Sequence, residues 1–281
     1  MCSAPPSPII RALPDLTAWT AWLLAAPIPV LADTAELLEN YRANEDAVDA
    51  HLLAEMVAAD PLMSLKLMAH VASVRSSRST SDPETATAAL VLLGISPFFR
   101  AFGPQTTIEQ YLRGDAQALQ GLDRVLRRAR RSAAFALAFA VHRMDRDAPI
   151  LHAAALLHDF AEMLLWLHAP ALAARLAARQ RDEPALRSAQ AQRELLNIEL
   201  LDLQQALMRA WRLPEMLVRI EDDRHAETAQ VKNVLLAVRV ARHSALGWDN
   251  PALVDDVSDI AALLNLGETP TLTLLRQIDG A

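Results

Sequence analysis

The chain has 281 residues, enough for one large domain or for two fused subdomains with a shared core. It has only 7 glycines, 2 tyrosines and 5% aromatic residues, which argues against a sheet-rich fold because strands favour β-branched and aromatic residues. A formal net charge of −7 disfavours general nucleic-acid binding, since that charge repels phosphate backbones. We therefore predict an all-α fold whose partners are not nucleic acids.

Neither a secretion signal nor a membrane span is predicted. Residues 1–8 lack the basic residues and apolar run of a signal peptide. The richest apolar run, 150–176, is interrupted by histidines and acidic residues, and it indicates a buried helix pair. Cys2 is the only cysteine, so neither an internal disulfide nor a thiolate metal site can form. These features predict a cytoplasmic protein without a membrane-bound part.

Apolar residues recur at helical spacing through most of the chain, and prolines beside capping residues mark several helix starts. After Asp60-Pro61, for example, Leu62, Leu65 and Ala72 lie on one apolar stripe. The predicted helices span residues 15–25, 33–43, 46–59, 61–74, 84–93, 115–144, 149–167, 194–211, 214–223, 229–246 and 255–266.

Two polar stretches are predicted to connect helices, a mobile Ser-rich loop at 73–82 and a charged connection at 180–189. No internal repeat or long linker is evident, so one continuous helical body is expected, with a softer boundary near Gly103 or Gly114. The predicted divisions are a flexible tail at 1–13, a main domain at 14–225 (parts 14–105 and 106–225), and C-terminal helices at 226–281 that complete the bundle.

Three ordered groups of residues carry a family resemblance. They are 28–31 with 52–61 (LLAEMVAADP), 88–95 (AALVLLGI), and 153–160 (AAALLHDF) followed by 211–215 (WRLPE). In this order they resemble the HDOD family of signalling domains, which is related to the metal-dependent HD phosphohydrolases. The resemblance implies an all-helical, non-catalytic regulatory domain of bacterial signal transduction.

The resemblance also implies where an HD site would lie. In a working HD site an adjacent His and Asp join a His from an earlier helix and an Asp from a later helix around divalent metal, which activates water against a phosphoester. This sequence keeps His158 and Asp159. Arg131 stands where the earlier His is expected, and arginine stays protonated and repels a cation.

Other positions of the expected site have also changed. Leu200 and Val238 occupy two further slots, and the pair that follows 211–215 reads Arg224-His225. We therefore predict a degenerate site with no catalytic residue, metal or other cofactor, whose remaining ligand-binding residues are His158, Asp159, Arg131, Arg224 and His225. In this hypothesis the Arg131 guanidinium pairs bidentately with Asp159 and replaces the charge of the metal.

A second constellation lies in the predicted helix 115–144. Arg124, Arg127, Arg128 and Arg131 follow the spacing i, i+3, i+4 and i+7, which places them on one helix face. This face could bind an anionic ligand or an acidic partner surface. The alternative interpretation is a solvated helix face whose charge is balanced by neighbouring acidic residues.

Three functions are compatible with these patterns. The leading interpretation is a non-enzymatic regulatory module that binds a signalling protein partner or a small anionic ligand. The alternative is a divalent-metal phosphohydrolase or phosphodiesterase that uses His158 and Asp159 with unconventional ligands such as His152, Glu162 or His225. The third is a helical scaffold that forms a homo-oligomer through exposed apolar surface.

Overall fold

The computed structural model describes residues 7–74, 83–183 and 186–280. Within these ranges all regular structure is helical, which confirms the all-α prediction, and the sole β-type pairing is an isolated parallel bridge between Val30 and Thr107. The helices are α1 (Leu16–Ala25), α2 (Ala32–Ala43), α3 (Ala50–Ala58), α4 (Pro61–Val74), α5 (Ala86–Leu93), α6 (Ile95–Ala101), α7 (Ile108–Leu112), α8 (Ala116–His142), α9 (Ala148–Leu157), α10 (Phe160–His168), α11 (Pro170–Asp182), α12 (Ser188–Leu196), α13 (Leu200–Ala210), α14 (Glu215–Ile220), α15 (Ala229–His243), α16 (Leu253–Leu264) and α17 (Glu268–Asp279).

The chain divides into two compact units. The first contains Met1–Val125 and Asp159–Leu213, and the second contains Leu126–His158 and Pro214–Ala281. The chain therefore leaves the first unit within α8, returns after His158, and leaves again after α13. The domain boundaries expected from the sequence stay a prediction.

A buried carboxylate organises the first unit around the start of α4. Asp60 is fully buried, and its carboxylate accepts hydrogen bonds from the backbone N–H groups of Leu31 at 2.9 Å, Leu62 at 2.9 Å and Met63 at 3.2 Å. Asp60 thus caps α4 and also satisfies an N–H group just before α2. Burial raises the pKa of Asp60, while these backbone hydrogen bonds act in the opposite direction.

The core of the first unit also contains two tryptophans, Trp19 and Trp166. Trp19 is fully buried and donates its indole N–H to the backbone oxygen of Leu196 at 2.9 Å. Trp166 of α10 lies so close to α8 that a Cβ atom built at Gly121 would stand 2.3 Å from its ring. Only glycine fits at that position, because real Cβ atoms do not approach other atoms so closely.

The second unit is closed by two ion-pair clusters. The buried carboxylate of Asp256 lies 2.7 Å from Nη2 of Arg239 and 2.5 Å from Nδ1 of His243, which connects α15 to α16. Arg131 of α8 makes the second cluster with the C-terminal helix α17, and it is described with the candidate site. His243 was not singled out from the sequence, although it faces a carboxylate that is fully excluded from solvent.

The structure corrects several predicted helix bounds. Helix 61–74 is confirmed as α4, whereas the predicted helix 149–167 is broken at residues 158–159 and the predicted helix 194–211 is broken near Asn197, whose φ is 64°. A 3-10 turn, Glu45–Ala47, replaces the predicted start of helix 46–59. Four observed helices were not predicted, namely α6, α7, α11 and α17.

The predicted connections have mixed outcomes. Residues 73 and 74 of the predicted loop 73–82 belong to α4, and the rest of that loop lies outside the described residues. The connection 180–189 is shorter than predicted, because α11 continues to Asp182 and α12 begins at Ser188. One stretch, Ala148–His168, passes a length and composition test for a membrane span, but 72% of its most apolar window is buried. Core helices pass the same test, so this is weak support for a span.

Candidate functional site

The His-Asp dipeptide lies at a break between two helices. His158 follows the last residue of α9 with helical backbone angles, and Asp159 precedes α10 with φ −106° and ψ 20°. The backbone oxygen of Asp159 accepts hydrogen bonds from the N–H groups of Glu162 at 3.0 Å and Met163 at 3.1 Å. The dipeptide also marks the division of the chain, since His158 ends a segment of the second unit and Asp159 begins a segment of the first.

Both ring nitrogens of His158 face carboxylates of the second unit. Its Nδ1 lies 3.1 Å from Oε2 of Glu221, and its Nε2 lies 3.9 Å from Oδ2 of Asp223. The His158 side chain is 9% exposed and the Glu221 side chain is completely buried, so the closer of these two contacts is shielded from solvent. When Nδ1 donates its proton to Glu221, the lone pair of the ring lies on Nε2, so a metal site here would depend on further ligands that converge with Nε2.

The side chains around His158 do not fit a divalent-metal centre. Such a centre needs several lone-pair donors that converge on one point. Across the ranges that the structure describes, no three His, Cys, Asp or Glu side chains are arranged to hold a metal ion. We therefore derive no reaction step through a metal at this position.

Arg131 binds a different carboxylate from the one predicted. Its Nε donates to Oδ1 of Asp279 at 2.7 Å and its Nη2 donates to Oδ2 at 2.8 Å. The same guanidinium donates to the backbone oxygen of Ala241 at 2.9 Å and to Oγ of Ser244 at 2.7 Å. The sequence analysis predicted Asp159 as the bidentate partner of Arg131, but the observed partner is Asp279. Arg131 thereby joins α8, α15 and α17.

Arg224 and His225 lie on an acidic turn, residues 221–227, which also supplies the partners of His158. The Arg224 side chain is 60% exposed, with its Nε 3.5 Å from Oδ1 of Asp222. The His225 side chain is 57% exposed, with its Nδ1 3.3 Å from Oε1 of Glu227. Glu221 and Asp223 of this turn contact His158, and Arg224 and His225 belong to the same turn.

The sequence analysis missed Glu221 and Asp223. A signal was present, because residues 221–223 read Glu-Asp-Asp and directly precede the Arg224-His225 pair that the resemblance pointed to. An acidic run beside that pair could have been read as a source of carboxylate partners for His158.

The arginine-rich face of α8 is only partly available as an anion-binding surface. Arg124 and Arg127 are exposed and Arg128 is half-buried. The guanidinium of Arg131 is directed to Asp279 and only 25% of its side chain is exposed. The remaining members, Arg124, Arg127 and Arg128, stay a predicted patch for an anionic partner.

Comparison with protein families gives one match that covers most of the chain. The family model described as "HDOD domain" matches residues 28–226. This match spans the three groups of residues that carry the resemblance in the sequence and includes His158, Asp159, Arg224 and His225. Among curated proteins, no sequence matches this chain.

Solved structures with the same fold include proteins from three organisms. A structure of the MmoQ response regulator from Methylococcus capsulatus is 19% identical, with a TM-score of 0.63 over 86% of this chain and 99% of that chain. A virulence factor from Campylobacter jejuni is 17% identical, with a TM-score of 0.61 over 89% and 88%. An HDOD domain protein of unknown function from Geobacter sulfurreducens is 17% identical, with a TM-score of 0.50 over 93% of both chains. At these identities the similarity shows the fold alone.

Proposed function

Because the chain belongs to the HDOD domain family, we propose that it is a non-enzymatic regulatory module of cytoplasmic signal transduction. Its HD-like position then serves to bind a protein partner or a small anionic ligand instead of metal. The response-regulator name of the similar protein from Methylococcus capsulatus is in keeping with a signalling role. The specific partner follows from neither the family nor the fold.

The observation that carries this proposal is the arrangement of His158 between two carboxylates. Glu221 is completely buried at 3.1 Å from the imidazole, so its charge needs a close hydrogen-bonding partner. With Nδ1 engaged by Glu221, a metal ion could approach His158 only through Nε2, which lies 3.9 Å from Oδ2 of Asp223. A divalent site needs further converging donors, and no group of three His, Cys, Asp or Glu side chains in the described ranges is arranged to hold a metal ion.

The surface that we propose for ligand binding is the acidic turn, residues 221–227. Arg224 and His225 present cationic or hydrogen-bonding groups to solvent on this turn. An incoming carboxylate or phosphate would compete with Asp222 for Arg224, and Asp222 is only 15% exposed. The buried partner of His158, Glu221, holds one end of the turn in place, which gives the turn a fixed anchor beneath a solvent-facing binding surface.

Metal content and hydrolysis test the proposal together. The full chain is purified without chelator, its metal content is measured, and hydrolysis of bis(p-nitrophenyl) phosphate is followed in added manganese. We expect substoichiometric metal and a background rate that is the same for the wild type, His158→Ala and Asp159→Ala.

A different pair of measurements would contradict the proposal. One metal ion per chain, with activity that both variants lose, would identify an altered-ligand phosphohydrolase and contradict the proposal. His152, Glu162 and His225 would then be the next ligands to replace. A molecular mass that rises with concentration in an inactive protein would instead favour the scaffold interpretation.

A further inference from the structure

A cavity of about 760 Å³ lies within the first unit, and none of the residues that line it belongs to the second unit. Its walls come from residues 27–29, from α4 and from residues 101–106. The two loop segments are joined by hydrogen bonds from Val30 N–H to Thr106 O at 3.0 Å and from Ile108 N–H to Val30 O at 2.9 Å. The cavity therefore has walls that are fixed by backbone hydrogen bonds, and its volume is in the range of small-molecule sites.

Lys66 supplies a cation to this cavity. It is one of only two lysines in the chain, the other being Lys232. The half-buried ammonium group donates to the backbone oxygen of Ile28 at 2.9 Å and to Oε1 of Gln105. Both acceptors are neutral, and the charge that acts on Lys66 from nearby is that of Asp60.

The surroundings of Lys66 disfavour the charged form of its ammonium group. Burial lowers the pKa of Lys66 to about 8, although the charge of Asp60 acts in the opposite direction. Cations removed from water are usually paired with a carboxylate, because neutral acceptors compensate only part of the lost solvation. An ammonium group has three N–H donors, so one donor remains after the two hydrogen bonds to Ile28 and Gln105.

We propose that this cavity binds a small organic carboxylate, whose charge pairs with Lys66 and whose apolar body packs against the cavity wall. The wall is suited to an apolar body, since it includes Phe102, Pro104 and Pro27. Phe102 is held in place by His70, whose ring meets it edge to face with centroids 5.1 Å apart. The site is distinct from the acidic turn and from the arginine face of α8.

The chemistry at Lys66 favours a carboxylate over a phosphate. A single ammonium with one remaining N–H matches one negative charge, whereas protein sites for phosphate usually gather several backbone N–H groups or an arginine fork. Gln110 also lines the cavity, and its Oε1 accepts a hydrogen bond from Thr107 N–H at 3.1 Å. Inorganic phosphate is therefore the control probe, which we expect not to bind at Lys66.

The scarcity of lysine makes a direct test available. Full-length protein labelled with ¹³C at lysine Cε gives one signal for Lys66 and one for Lys232, assigned with Lys66→Met and Lys232→Met. The probes are monocarboxylates from acetate to benzoate, the matching amides, and inorganic phosphate, all at constant ionic strength. The titration midpoint of Lys66 is followed with and without each probe.

We expect at least one monocarboxylate to raise the Lys66 midpoint by a pH unit or more in a saturable manner, with Lys232 unmoved. The matching amide and phosphate should leave the Lys66 midpoint unchanged. The same carboxylate should also raise the thermal stability of the protein, and this stabilisation should persist in Lys232→Met. Equal shifts at both lysines, saturation by phosphate alone, or no saturable response to any carboxylate would each overturn the proposal. If Lys66→Met fails to fold, the titration of the wild-type protein still tests the proposal.

Discussion

Nδ1 of His158 lies 3.1 Å from Oε2 of Glu221, a carboxylate that solvent does not reach, across a separation of 63 residues in sequence. The contact connects the end of α9 to the residue that follows α14. Because Glu221 is completely buried, this pair is a structural link of the second unit, and it leaves Nε2 as the ring nitrogen through which a ligand could approach.

Glu221→Gln should destabilise the protein by roughly 2–4 kcal/mol, because it removes a buried charge from its hydrogen-bonding partner. The free energy of unfolding in urea measures the change. Glu227→Gln is the matched control, since Glu227 is 71% exposed and also neighbours a histidine, and it should cost less than about 0.5 kcal/mol. Similar losses in the two variants would mean that the His158–Glu221 contact contributes no special stability.

Gly121→Ala should destabilise the first unit by roughly 1–3 kcal/mol, because the new methyl group would overlap the Trp166 ring. Gly103→Ala is the control, since a Cβ at that glycine has no atom within 4 Å. Thermal unfolding followed by tryptophan fluorescence reports both changes. A Gly121→Ala variant as stable as Gly103→Ala would show that α8 and α10 are packed less closely than described.

Asp60→Ala should cost roughly 3–5 kcal/mol, because three backbone N–H groups lose their acceptor in a buried setting. Asp49→Ala removes a similar cap from α3, where the carboxylate accepts from His51 and Leu52 N–H at an exposed position. That change should cost only about 1 kcal/mol. Urea unfolding of the two variants gives the comparison, and equal losses would contradict the role of Asp60 as a buried link.

Acid should destabilise the first unit through His168. Burial lowers the pKa of His168 to about 4, and its Nδ1 lies 2.9 Å from the Tyr111 hydroxyl. The unfolded chain binds a proton below its ordinary pKa of 6.5 while the folded chain does not, so stability falls as the pH decreases from 6.5 towards 4. At 1.36 kcal/mol per pH unit the full loss is about 3 kcal/mol.

The measurement is the free energy of unfolding of the wild type and of His168→Gln at several pH values. The difference between the two proteins isolates His168 from other groups that titrate in the same range. The wild type should lose about 3 kcal/mol more than the variant between pH 6.5 and 4. Parallel pH profiles would show that the histidine is accessible to protons in the folded state.

The helices that were predicted most accurately are those whose ends are set by neighbouring capping residues and prolines. Pro61 after a capping aspartate predicted the start of α4, and the helix begins there. The break at 158–159 was not predicted because apolar residues continue at helical spacing through it. The left-handed residue Asn197 likewise interrupts a pattern that reads as one helix. Two of the short helices that were not predicted, α6 with 7 residues and α7 with 5, contain too few residues for a periodic signal.

The candidate site was predicted from the family resemblance, and the contacts of its residues were not predicted. The resemblance pointed to the His-Asp dipeptide and to the position of Arg131, yet the partner of Arg131 is 148 residues away, and that of His158 is 63 residues away. Both partners depend on how α14–α17 fold back within the second unit, which no local pattern encodes. Lys66 went unnoticed because a single lysine in an apolar helix gives no sign that a cavity lies beside it.

Titration of manganese into protein labelled with ¹⁵N at histidine shows whether His158 holds a metal ion, because paramagnetic broadening reports which ring approaches the ion. The His158 signals should broaden no earlier than those of the exposed His225, and without saturation near one equivalent. Selective loss of the His158 signals below one equivalent, ahead of every other histidine, would contradict the proposal that this position binds a partner or an anionic ligand instead of metal.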